Sequence, residues 1–151
     1  NAPNSRHKST SLADWRPILS APGVVFVDLQ YGDTLAERAA AGAELVHLQD
    51  MDLTNDLDGL AALTAACDLV ITVSNTTAHL AGALGVPTWV LVATGWGSLW
   101  YWGAGTPDTP WYPTAKIFTR RSGQDWRPLL TEVAEALQGF RDSQASSDRS
   151  P

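Results

Sequence analysis

Residues 68–92 read DLVITVSNTTAHLAGALGVPTWVLV. Two short β-branched apolar runs, 68–73 and 87–92, have the length and boundaries of buried strands. Between them, 75–85 reads as a helix that stops at Gly85. Strand, turn, helix and strand in that order imply two parallel strands joined by a crossover helix. The turn itself gathers Ser74, Asn75, Thr76 and Thr77. In a parallel sheet, ligands sit outside the carboxyl ends of the strands. The first amides of the following helix lack intrahelical partners and carry the positive end of its dipole. Such a turn suits a phosphate. Asn75 or Ser74 can cap the helix, Thr76 and Thr77 add hydroxyl donors, and His79 shares a side with Thr76 at i+3. Leu80 and Leu84 are expected to pack this helix on the sheet, with Ala78, Ala81, Gly82 and Ala83 letting it lie close.

Working outward, the pattern repeats. Ser11 and Asp14 cap a short helix through Leu19, and 23–29 reads as a first strand. A helix at 33–42 ends in Gly42, and 43–48 is a second strand. A helix at 56–67 leads into the stretch above. Beyond it, 115–120 is a fifth strand and 125–140 an amphipathic helix with Leu129, Val133 and Leu137 at i, i+4, i+8. Alternating strands and helices predict an α/β chain, a doubly wound, mainly parallel, Rossmann-like sheet. The domain is expected over 1–140, with a Ser-rich, disordered tail at 141–151.

The chain has 151 residues, 44% of them hydrophobic, and a net charge of −6. That balance argues against a nucleic-acid or anionic-membrane partner. The segment 28–68 is acidic, with Arg38 alone among Lys and Arg, whereas Arg6, Lys8 and Arg16 lie in front and Lys116, Arg120, Arg121 and Arg127 behind. If the fold brings the two ends together, a local basic site can form. No apolar run is long enough to span a bilayer, and the polar start lacks a secretory signal. One cysteine, Cys67, allows no internal disulfide, so a cytoplasmic location is expected. The chain lacks G-x-G-x-x-G, a P-loop and a G-x-S-x-G elbow. Asp50, Asp52, Asp56 and Asp58 form D-x-D pairs that capping explains, and the scattered His and single Cys give no metal set. No metal, cofactor or catalytic side chain is therefore assigned.

The segment 96–113, WGSLWYWGAGTPDTPWYP, hangs over the same sheet edge. Trp and Tyr rings have flat apolar faces and polar tips that suit a base or sugar. A loop this long and aromatic meets either a ligand or another protein surface.

The stretch 68–92, followed by LWYW, PWYP, AKIFTR and DWRPLL, resembles the C-terminal region of bacterial tetratricopeptide-repeat proteins. Those regions are similar to glycosyltransferases of the heptosyltransferase and O-GlcNAc-transferase type. The resemblance covers roughly residues 4–138, starting at NSRHKSTSL. It implies the Rossmann-like half of a GT-B fold that binds a nucleoside diphosphate sugar, UDP- or ADP-linked. Ser74, Asn75, Thr76, Thr77 and His79 would then hold the diphosphate, with Lys8 neutralising its charge. Trp96, Trp100 and Trp111 would contact sugar or base. The partner implied is the other GT-B domain or a repeat domain of a longer chain. Departures are visible: heptosyltransferase-like members carry Asp-Thr where this chain has Ser74-Asn75, and Asn75 stands where O-GlcNAc-transferase-like members have His. An alternative keeps the fold without catalysis and buries Trp100, Trp102 and Trp111 against a protein partner. An epimerase of the same fold is a third.

Overall fold

A computed structural model describes residues 10–42, 44–95, 99–103 and 106–147. Along these the order is a 3-10 turn (Leu12–Trp15), α1 (Arg16–Leu19), β1 (Phe26–Val27), α2 (Leu35–Ala41), β2 (Leu45–Val46), α3 (Leu57–Ala65), β3 (Val70–Val73), α4 (Thr76–Ala83) and β4 (Thr88–Ala93). A second 3-10 turn (Trp100–Trp102) precedes β5 (Ala115–Arg120) and α5 (Arg127–Ser147). The chain is an α/β fold with parallel strands and interleaved helices, as the alternating pattern predicts.

All named strand pairs are parallel: β1 with β2, β3 with β4, and β4 with β5. They form two sheets, β1-β2 and β3-β4-β5, rather than one. The cause lies in β1, where only Phe26 and Val27 pair and Val25 stands 78% exposed. What reads as a buried seven-residue strand is a short paired piece at the rim. Packing rather than hydrogen bonds bridges the sheets, for Phe26 meets one core cluster and Leu29 another.

Every residue of β4 is buried, which is why its sequence is apolar without alternation. Trp89, Leu91 and Ala93 face one side, packing with Ile18 of α1, Phe118 of β5 and Leu130 and Val133 of α5. Val90 and Val92 face the other, with Ala78 of α4, Ile117 of β5 and Trp102. The helices therefore cover both faces. On the α4 side the sheet contacts are Ala78 and Ala81, while Leu84 is 43% exposed and Leu80 half-buried. The expected leucine pair is displaced because methyl-sized side chains let α4 lie closer to β3 and β4.

Among the described residues, α1 and α5 pack together, on the sheet face opposite α4. Helix α5 also runs to Ser147, through the first part of the expected disordered tail. Arg141 reaches the Pro22 carbonyl, and the Ser143, Ser146 and Ser147 hydroxyls donate back to the carbonyls of Phe140, Asp142 and Ser143. These bonds satisfy the serine hydroxyls within the helix. Among the described residues, no helix is long and apolar enough to cross a membrane.

Candidate functional site at the start of α4

Strand β3 ends at Val73, and Asn75 takes an extended conformation that starts α4. Its Oδ1 accepts the Ala78 amide at 3.0 Å, and its Nδ2 donates to Thr72 Oγ1 at 3.0 Å. Asn75 is thus engaged at both ends of its side chain as the cap. The Thr76 and Thr77 amides, the first two of the helix, have no intrahelical acceptor. The Thr76 side chain is exposed and that of Thr77 buried.

The aromatic loop closes over this turn. Trp102, 2% exposed, donates its indole N–H to Ser74 Oγ at 2.8 Å. Its ring stacks on His79, with centroids 4.8 Å apart and planes 21° apart. Tyr101 approaches the same imidazole at 5.2 Å. The Tyr112 hydroxyl lies 3.0 Å from His79 Nδ1, and its ring rests on Gly82 so closely that a Cβ there would meet Cγ at 2.5 Å. His79 is held by three rings and one hydrogen bond. Outside this cage, Trp100 and Trp111 meet edge to face at 6.3 Å and stand 77% and 58% exposed.

Five predicted residues, Ser74, Asn75, Thr76, Thr77 and His79, share one turn, with Trp100 and Trp111 on the loop above them. Lys8 and Trp96 lie outside the described residues. Tyr101 and Tyr112 are not singled out by the sequence, and Gly82 is read there only as a small residue that lets the helix lie close to the sheet. Gly82 three residues after His79 marks a place where something large can press on the helix, but nothing local says that Tyr112 does so.

The cations near the C-terminal end do not converge here. Lys116 lies over the Phe118 ring at 4.7 Å, and Arg120 sits 4.5 Å from the Trp126 ring and donates to the Gln124 carbonyl at 2.5 Å. Phe118 and Trp126 belong to the face covered by α5.

The acidic residues also have local duties. Asp56 caps α3 by accepting the Gly59 amide at 2.8 Å. The Asn55 side chain, with the Thr54 and Asn55 amides, holds the Asp52 carboxyl below its ordinary range. Burial, helped by Asp68, pushes the Cys67 thiol up.

A second polar cluster sits at the carboxyl ends of β1 and β2. Asp28, 4% exposed, accepts from Thr34 Oγ1 at 3.0 Å and from the Gln30 amide at 3.0 Å. Arg38 Nε and His47 Nδ1 lie 3.4 and 3.3 Å from its Oδ2. A cavity of about 600 Å³ lies at the other, amino end of these strands, between Arg16, Leu19, Phe26, Ala41 and Glu44.

No protein-family model matches the chain, and no solved structure matches it. The chain is similar to part of Protein FlbA of Caulobacter vibrioides. The two are 46% identical over 134 residues, which takes in 85% of this chain and 22% of that protein. The chain thus spans about a fifth of the length of this curated relative.

Proposed function

We propose that the chain is the donor-binding half of a GT-B-type glycosyltransferase, transferring a sugar from a UDP- or ADP-linked donor. The observation that carries this reading is the turn after β3. Two amides without a partner among the described residues, at Thr76 and Thr77, stand beside an exposed Thr76 hydroxyl and a caged His79 at the carboxyl edge of a parallel sheet. These groups would bind the diphosphate and stabilise the charge that develops on it as the glycosidic bond breaks. Lys8 would add a positive charge. Trp100 and Trp111, with Trp96, would stack on base or sugar, since each exposed indole has an apolar face and a polar tip. The acceptor and the group that activates it would come from another domain of a longer, cytoplasmic chain. The much greater length of Protein FlbA is consistent with such a neighbour.

The test is a calorimetric or thermal-shift titration with UDP, ADP, GDP and CDP, on the wild type and on Thr76→Ala/His79→Ala. A nucleotide at about 100 times its Kd adds roughly 2.7 kcal/mol of stability. A base-selective shift that the double variant abolishes is expected. A folded wild type that responds to none of the four overturns the reading for this chain and favours protein contact through Trp100 and Trp111.

A further inference from the structure

The proton between Tyr112 and His79 decides what the other imidazole nitrogen can do. The geometry points to Tyr112 as a positioning residue that donates to Nδ1 and fixes neutral His79 as an Nε2–H donor beside the first turn of α4. For its ligand this inference rests on the donor-site reading above; for its tautomer it does not.

Three observations carry it. First, the Tyr112 hydroxyl has no other hydrogen bond among the described residues, so Nδ1, 3.0 Å away, is the one protein acceptor they offer its proton. The reverse assignment would leave both the hydroxyl proton and the Nε2 lone pair without a protein partner. Second, Tyr112 is held in place. Its ring lies against Gly82 and its carbonyl accepts the Ala115 amide at 2.9 Å. Third, the imidazole is confined by Trp102 stacked at 4.8 Å and Tyr101 at 5.2 Å, which oppose a ring flip.

The direction of the free nitrogen follows from helix geometry. A helical side chain leans toward the N-terminus of its helix, so the His79 ring covers the turn that bears Thr76. Trp102, parallel to that ring, reaches Ser74 at the same end. An Nε2–H there adds a donor to the Thr76 and Thr77 amides. A bare Nε2 would set a lone pair against an anionic diphosphate.

Nitrogen-15 NMR of the imidazole rings tests the tautomer with no ligand present. The wild-type His79 should show a protonated Nε2 and a bare Nδ1, and Tyr112→Phe, which keeps the ring on Gly82, should give a tautomer mixture. A wild type protonated at Nδ1 overturns the inference, as does a Tyr112→Phe spectrum identical to wild type. UDP titration tests the consequence. Tyr112→Phe should weaken UDP about three- to tenfold. That loss should vanish in a His79→Gln background, where the amide brings its own N–H. An equal loss in that background shows that Tyr112 does not act through His79 and overturns its positioning role. A wild type that binds no UDP overturns the donor-site reading, while the spectrum still decides the tautomer.

Discussion

Trp102 and Ser74, 28 residues apart, are joined by an indole N–H donating to a serine hydroxyl at 2.8 Å. This bond ties the loop after β4 to the turn after β3. Ser74→Ala removes the acceptor and should cost about 1 kcal/mol in urea unfolding. Trp102→Ala also empties a buried indole site and should cost about 3–5 kcal/mol.

Two glycines in helices should respond with opposite signs. A Cβ on Gly82 meets the Tyr112 ring at 2.5–2.8 Å, so Gly82→Ala should destabilise by about 1–3 kcal/mol despite the better helix propensity of alanine. A Cβ on Gly139, exposed in α5, meets nothing within 4 Å. Gly139→Ala should therefore stabilise by about 0.5–1 kcal/mol. Paired denaturation curves check both.

Asp28, just after β1, holds α2 to the β1-β2 sheet through Thr34 and Arg38, with His47 Nδ1, just after β2, 3.3 Å from the same carboxylate. Asp28→Asn leaves Arg38 and its neighbours without the carboxylate and should cost about 3 kcal/mol in chemical unfolding. A loss below about 0.5 kcal/mol would mean that the cluster is no stronger than an exposed ion pair.

Cys67 supplies a pH dependence whose sign is fixed. Burial and Asp68 raise its thiol above the ordinary value of 9.0, so the folded state holds this proton more tightly than the unfolded chain. The stability this contributes is complete below the unfolded pKa and is lost as pH rises through the folded one. Thermal melts should fall on the alkaline side of about pH 9, and Cys67→Ala should flatten that limb. Alkylation at about pH 8 should be slower than for a free cysteine.

Thr76 separates binding from folding. Its side chain is exposed and it is not the cap, a role taken by Asn75. Thr76→Ala should leave the urea midpoint within about 0.5 kcal/mol of wild type. Asn75→Ala should lower it by about 1 kcal/mol. If the turn binds a diphosphate, Thr76→Ala should weaken nucleotide binding while sparing stability.

What the sequence made legible follows how local each determinant is. Residues 115–120 coincide with β5 because Pro113 and Gly123 flank a β-rich run. Gly42 ends α2 with φ at 62°, and Asn75 caps α4 as its side chain allows. The length of β1 was not legible, because a β-branched run reports propensity and says nothing about whether a partner strand extends beside it. The sheet-facing side of α4 was misassigned because Leu80 and Leu84 carry more apolar surface than Ala78 and Ala81, yet close approach favours the smaller pair. The cage around His79 was invisible for a different reason. Tyr112 is 33 residues from His79, and their contact arises only once the loop has folded back.

The absence of a shared ladder between the β1-β2 and β3-β4-β5 sheets has a dynamic consequence. Backbone hydrogen bonds in the first can open without breaking any inter-strand bond in the second. Amide exchange should therefore divide the chain into two cooperative units, with the Asp28 amide, bonded to the Val46 carbonyl, exchanging through a sub-global opening and the β4 amides only through complete unfolding. The α4 turn and its aromatic cover belong to the slower unit, so the candidate site keeps its shape while the front of the molecule breathes.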